Sequence, residues 1–521
     1  MMRPIASRVV LPAALYIGFV GYYVYLHAQL GRGFPLPWPD EAAFLWPATN
    51  FAETGSLLSP ELLANHHPMW MPPGFMLVRA FFFKLFGFSF DLARWVSAAE
   101  VLLAFAGVAA LASRLRAHLA ALLLCGAFLV STEFVAAGNI ARMEGLVLCL
   151  SALAITLLAS GRVLTALAVL SLAPLVHPNG VYFALAGLVF SVASTEPRSK
   201  LRHPIDSASR GEFIVVGVVV LCWCAYLVYV ATHYTDFLLQ MNAQLDRKVS
   251  RSNRIGISST LLVALCTTSL ACGLWGFVRN ERILLLACFG TAAWCVRAVG
   301  LEVWYWVYLQ FGLLLLSIAV LEILTTLWQE SIAPVWLPNA AAGLALAWQF
   351  FIALALLALH WSFGSLPFPP GSLTAFSVAG MRPQLHLPYS SDDEMERLAS
   401  ALSEFRDCGE PLTIRTFPRA ESLLLRESFG RNAFEYSSPA YLLLRLGGDY
   451  MPTQWDIFLV HMTPHHSWMS SRLPAELKMA GIDATSSENL LFATQTNSRW
   501  YIRVREDQVS EKCHASRNED E

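Results

Sequence analysis

Long apolar blocks, each close to the roughly 20 residues a helix needs to cross a bilayer, decide what this chain can fold into. They recur at 8–28, 92–113, 117–135, 141–160, 163–177, 179–194, 212–232, 258–278, 283–299, 303–326 and 338–360. The pattern predicts an α-helical polytopic membrane protein with about 11 transmembrane helices. Only 14% of the 521 residues are charged, against about 25% in a soluble globular chain. An ordinary cytosolic enzyme and a disordered chain are therefore excluded. A formal net charge of -2 gives no bulk attraction for a polyanion, so no nucleic-acid partner is expected.

Acidic residues mark a boundary. Residues 1–363 hold 17 of the 38 Asp and Glu, and residues 364–521 hold the other 21. The expected organisation is a transmembrane domain over 1–363 with a long loop at 29–91, a small α/β domain over 364–505, and a charged, disordered tail over 506–521. The Pro-rich stretch 361–370 reads as the linker. In the small domain, 391–406 and 474–480 read as helices, and 412–416, 440–446, 456–461, 490–494 and 500–504 as strands. Eight of the ten cysteines sit in apolar blocks, where Cys behaves as a small hydrophobe. A Cys408–Cys513 disulfide is left open, as is the alternative of two free thiols. His461, His465 and His466 form a cluster that reads as an ordinary turn.

Basic residues orient the helices. The block Phe75–Phe88 is short and contains Arg79 and Lys84. If it lies flat in the interface, the basic loops at Arg114/Arg116, Arg162, Arg198/Lys200/Arg202 and Arg279/Arg282 all fall on the same side as Arg3 and Arg8, which the positive-inside rule makes cytoplasmic. The first span, with no small-residue cleavage site, reads as an uncleaved anchor. The loop 29–91, the turn before Glu144, the break at His177-Pro178-Asn179-Gly180, the loop 233–257, the turn at Glu302 and the C-terminal domain then share the external face of the cytoplasmic (inner) membrane. The His177 break reads equally as a tight hairpin or a broken helix.

Within the first loop stand Asp40-Glu41, a helical pattern over 41–54 capped by Asp40 and ended by Gly55, Pro72-Pro73, Leu85-Phe86-Gly87 and Ala93-Arg94-Trp95. This ordered set resembles GT-C glycosyltransferases, and most nearly the bacterial aminoarabinose transferase and protein O-mannosyltransferase group, over roughly residues 10–180. The resemblance implies GT-C architecture and a sugar donor linked to polyprenyl phosphate. It also implies a lipid, glycan or protein acceptor reached from the external face, with membrane lipids around both, and a first-loop carboxylate at the catalytic centre. The chain departs from the pattern at Trp70-Met71, where members often carry Lys, and at Arg142-Met143-Glu144, where members often carry Arg-Asp.

Such a transfer needs a base for the acceptor proton, positive groups for the departing phosphate and exclusion of water. Asp40 is the candidate base, its plainer reading being an N-cap. Glu41 is its partner or a second cap acid. Glu144 is the candidate second acid, and Arg142 its partner or a phosphate contact, since ionisable residues at membrane depth mark functional sites. Arg247, Lys248, Arg251 and Arg254 are candidates to clamp a lipid phosphate, against the plainer reading of a solvated loop near anionic headgroups. His177 sits where members place a basic residue near the donor. Glu302 and Tyr305 are candidates for sugar contact, against an aromatic interface belt. Glu100, inside a span, reads as a helix–helix hydrogen-bonding residue. No cofactor is called for. A divalent cation held by His66 and His67 with Asp40 or Glu144 is the alternative, against which adjacent histidines on a loop rarely chelate one ion. Two other functions fit part of the pattern: a transporter or flippase of lipid-linked sugars, and a non-catalytic assembly protein working through its C-terminal domain.

Overall fold

The computed structural model describes residues 5–30, 39–63, 66–194, 209–249, 259–299, 305–332, 347–349, 351–352, 354–355, 392–406, 408, 411–417, 421–430, 433–437, 455–462, 481–482, 489–493 and 499–515. Among the described residues the regular elements of the membrane part are helices: α1 (Ile5–Leu30), α2 (Pro39–Thr54), α3 (Pro60–Leu63), α4 (Gly74–Phe86), α5 (Phe90–Ala112), α6 (His118–Leu129), α7 (Thr132–Gly138), α8 (Met143–Ala159), α9 (Val163–Val176), α10 (Gly180–Ala193), α11 (Arg210–Thr232), α12 (Tyr234–Val249), α13 (Ser259–Arg279), α14 (Glu281–Val299) and α15 (Trp306–Ile332). Among the described residues five helices, α5, α11, α13, α14 and α15, are long and apolar enough to cross a membrane. Helices α6 and α7, bent by 60° at Val130-Ser131, make a sixth if taken as one broken span. The chain is a multi-pass membrane protein. Most of the expected span over 338–360 lies outside the described residues, as do the linker 361–370, the strand 440–446, the helix 474–480 and His465 and His466.

Packing sorts these helices by what covers them. The apolar windows of α5 and α15 are 61% and 78% buried inside the protein, whereas those of α11 and α13 are 6% and 17% buried. Side chains such as Leu221, Val228 and Leu270 on the latter pair are exposed, which suits lipid as the neighbour. The α9–α10 connection is a tight hairpin. A Cβ on Gly180 would come within 2.2 Å of the Ala173 backbone, so only glycine lets the two helices meet there.

Helix α4 has 13 residues, about 20 Å of helix, short of a roughly 30 Å hydrocarbon core. Its Arg79 is fully buried and donates to both Glu100 oxygens, at 2.6 and 2.9 Å, and to Ser97 Oγ at 2.7 Å. Glu100 is thus a helix–helix hydrogen-bonding residue, and its partner is a cation.

The segment 233–257, read as a loop, contains α12. Its Phe237, Gln240 and Ala243 face inward at helical spacing while Tyr234, Leu238 and Leu245 are exposed. Phe237, Leu238, Met241 and Leu245 recur at helical spacing, so this period is legible in the sequence beside the basic run 247–254.

The C-terminal part comprises α16 (Asp392–Arg406), β1 (Leu412–Phe417), α17 (Glu421–Phe429), β2 (Phe434–Ser437), β3 (Ile457–Met462), β4 (Leu490–Ala493), β5 (Arg499–Val504) and α18 (Glu506–Ala515). The sheet runs β2-β1-β3-β5-β4. β1 is parallel to both neighbours, with Leu412 opposite Phe434 and Ile414 opposite Ile457. β5 runs antiparallel to β3 and β4. Leu412, Ile414, Leu459 and Val460 are fully buried, as strands in the parallel part of a sheet should be. His461 stacks flat on Trp500 with ring centroids 4.1 Å apart, a core contact.

The tail expected to be disordered begins instead with α18. Two tethers order it: the Cys408–Cys513 disulfide, and Lys512, which donates to Asp456 Oδ2 at 2.7 Å. Neither cross-link follows from a charged local sequence.

Candidate active site

Helix α2 brings the first-loop acids to the bundle. It begins at Pro39, two residues earlier than expected, so Asp40 and Glu41 both occupy its first turn, where carboxylates suit the positive end of the helix dipole. Gly55, with φ of 77°, ends it. Ala42, Leu45, Trp46 and Ala48 are buried, which fixes the helix against its neighbours.

Arg142 is the hub. It is extended at the N-cap of α8, and its guanidinium bridges two acids. Nη1 donates to Asp40 Oδ2 at 2.5 Å. Nε and Nη2 donate to the two oxygens of Glu144 at 3.3 and 3.2 Å. Arg142 and Glu144 side chains are 8% and 5% exposed, while Asp40 is 46% exposed. A buried cation needs such partners to offset its lost hydration, and Asp40 is the member of the trio that solvent reaches.

Glu41 does something else. It is fully buried and accepts hydrogen bonds from Arg94 Nε and Nη2 at 3.1 and 2.8 Å and from Ala141 N–H at 2.8 Å. Its carboxylate is taken up by the scaffold, so its place is structural support beside the trio. Arg94 stands in the Ala93-Arg94-Trp95 entry to α5, a pattern that by itself assigns it no role. A charge inside an apolar helix is the signal that could have singled it out, together with Arg79.

Aromatic rings border the hub. The His177 and Tyr305 centroids lie 6.0 Å apart, as do those of Tyr305 and Tyr308. Tyr305 and Tyr308 both lie close to Arg142, and Tyr308 also to Glu144. His177 Nδ1 accepts the Asn179 N–H at 3.0 Å, which puts the proton of a neutral ring on Nε2. Arg247 and Lys248 fall in the last turn of α12; Arg251, Arg254 and Glu302 lie outside the described residues.

His66 and His67 go elsewhere. His66 Nδ1 lies 2.9 Å from Asp236 Oδ1, and the His67 ring lies 3.8 Å from that of His233. Gln240 adds bonds to the backbone of His67 and Met69. This segment latches onto α12, not onto Asp40 or Glu144. Among the described residues no group of three or more His, Cys, Asp or Glu side chains is arranged to hold a metal ion.

Residues 67–229 match the family described as dolichyl-phosphate-mannose-protein mannosyltransferase. ArnT from Cupriavidus metallidurans in the apo state superposes with a TM-score of 0.51 at 13% identity, covering 94% of this chain and 98% of that one. ArnT from the same organism bound to undecaprenyl phosphate gives 0.48 at 13% identity, covering 96% and 99%. The apo oligosaccharyltransferase of Archaeoglobus fulgidus gives 0.41 at 12% identity, covering 85% of this chain and 65% of that one. No curated protein matches in sequence. The family match and the ArnT fold bear out the resemblance to GT-C glycosyltransferases, with a mostly helical bundle and a small C-terminal sheet.

Proposed function

We propose that this chain is a membrane glycosyltransferase that moves a hexosyl or pentosyl unit from a polyprenyl-phosphate donor to an acceptor hydroxyl or amine at the external face of the cytoplasmic membrane. The observation that carries the reading is the Arg142 bridge between Asp40 and Glu144. It gathers a solvent-facing carboxylate, a buried cation and a second acid at one point, as the resemblance implies. The family description names a dolichyl-phosphate sugar, which supports the donor class.

In this reading Asp40 takes the acceptor proton as the acceptor atom bonds to the anomeric carbon. The carbon–oxygen bond to phosphate breaks on the opposite face, and the electron pair leaves with the phosphate, giving inversion. Arg142 stabilises the developing negative charge, and Glu144 holds Arg142 in place. The basic residues 247, 248, 251 and 254 supply further countercharge to the phosphate. The Cys408–Cys513 disulfide supports an external C-terminal domain, because such bonds persist in oxidising compartments.

Asp40→Asn in reconstituted membranes, assayed with undecaprenyl-phosphate-linked sugars and an extracted envelope acceptor, should lower turnover by about 10²–10⁴-fold, the range for loss of general base catalysis. Turnover near the wild-type rate would refute the assignment.

A further inference from the structure

We infer that Arg426 of the C-terminal domain is a positioning residue for the first-loop helix, holding the far end of α2 so that Asp40 stays opposite Arg142. The inference rests on the reading of Asp40 as the base and adds a role for the C-terminal domain.

Asp40 and Glu53 stand at opposite ends of α2, in its first and last turns. The near end is held by membrane helices through Arg142–Asp40 and Arg94–Glu41. The far end is held from outside the bundle, by α17. Arg426, 4% exposed, pairs with Glu53. Its guanidinium also lies over the Trp46 ring at 4.9 Å and the Phe88 ring at 5.4 Å. Trp46, midway along α2, donates Nε1–H to Ser422 Oγ at 3.0 Å and lies 5.7 Å from the Tyr436 ring. Ser89, the N-cap of α5, donates to Glu427 at 3.0 Å. One short helix of the C-terminal domain therefore grips α2 at two points and touches the start of α5, the helix that supplies Arg94.

A carboxylate in the last turn of a helix opposes the dipole, so Glu53 is locally unfavourable in α2, and Arg426 offsets it. Arg suits this role better than Lys, because the planar guanidinium stacks on two rings while it pairs. A helix of 16 residues behaves as a rod about 24 Å long, so freedom at the Glu53 end is passed to the Asp40 end. Small displacements of that kind lower turnover without weakening donor binding.

The test uses the full-length protein in lipid nanodiscs, with Arg426→Gln, Glu53→Gln and the charge-reversed pair Glu53→Arg with Arg426→Glu. Amide hydrogen exchange reads the tether without any substrate. Arg426→Gln should speed exchange across residues 40–54 by about tenfold, leave α8 and β3 at wild-type protection, and be partly reversed in the charge-reversed pair. Transfer from undecaprenyl-phosphate mannose or aminoarabinose should lose kcat by about tenfold with KM unchanged. Wild-type exchange in α2, or a rise spread over the whole protein, overturns the inference. If Arg426→Gln does not fold, Glu53→Gln removes the same pair from its more exposed side and must show the same local rise. An active Asp40→Asn protein would defeat the base assignment alone, since the exchange measurement still judges the tether.

Discussion

Arg94 on α5 and Glu41 on α2 form an ion pair that water does not reach, with Nη2 and Oε2 2.8 Å apart and side-chain exposures of 2% and 0%. Glu41 also accepts the N–H of Ala141, the residue before Arg142. One carboxylate thus fixes α2, α5 and the start of α8 relative to one another. Asp40 meets Arg142 because its neighbour is anchored in this way.

Breaking that pair should be costly to stability. Glu41→Gln leaves Arg94 buried without its countercharge, a change worth about 3–5 kcal/mol. Replacing both residues together, with Glu41→Gln and Arg94→Leu, should cost less than the sum of the single changes. Unfolding of the four proteins in one detergent, analysed as a double-mutant cycle, checks this; additive losses would show that the two residues are not coupled.

Arg142 should not be exchangeable for another cation. Arg142→Lys keeps the charge but loses the fork that serves Asp40 and Glu144 together. We expect turnover to fall by about tenfold in Arg142→Lys and about 10²-fold in Arg142→Gln, the scale seen when a preorganised donor is removed. Steady-state transfer rates in nanodiscs decide it, and equal activity of Lys and Arg would mean that a point charge suffices.

Acid should loosen the latch between the 66–69 segment and α12. Burial, and then the nearby His233, hold His67 below its ordinary value of 6.5; Asp236 opposes this and His66 adds to it. A histidine depressed on folding contributes its full stability above the unfolded value and loses it as pH falls below that value toward the folded one. The protection of amides in residues 66–73, taken relative to the intrinsic exchange rate at each pH, should therefore be full near neutral pH and fall as pH drops below about 6.5. His67→Phe, which keeps a ring against His233, should flatten the dependence. An unchanged profile in that variant would place the sensitivity elsewhere.

The disulfide should govern the C-terminal domain. Cys408 and Cys513 are 105 residues apart, and removing a bond that closes so long a loop costs about 2–5 kcal/mol. Cys513→Ser should expose α18 to protease and lower the melting temperature of the domain. Reduction of the wild-type protein should do the same, and limited proteolysis with and without reductant measures both. Equal protease resistance would mean that Lys512–Asp456 and the sheet suffice.

The amino-acid sequence by itself determined the elements whose signals are local. Apolar length placed the spans α5, α11, α13, α14 and α15, the Asp-Glu start and Gly55 bounded α2, and alternating or continuous apolar runs located β1, β3, β4 and β5, because periodicity and capping act within a few residues. It also singled out Asp40, Arg142 and Glu144, since charges beside apolar blocks are conspicuous. Only the tertiary structure decided which charge met which. Asp40 and Arg142 are 102 positions apart, Glu41 and Arg94 are 53 apart, and Arg426 and Glu53 are 373 apart. Glu41 and Asp40 look alike as a dipeptide, yet adjacent helical residues point about 100° apart. One carboxylate therefore turned inward to Arg94 while the other stayed partly open to solvent beside Arg142. The order of α18 was hidden for the same reason. A polar helix gains its stability from the surface it lies on or the cross-link that holds it, and neither is written in its own residues.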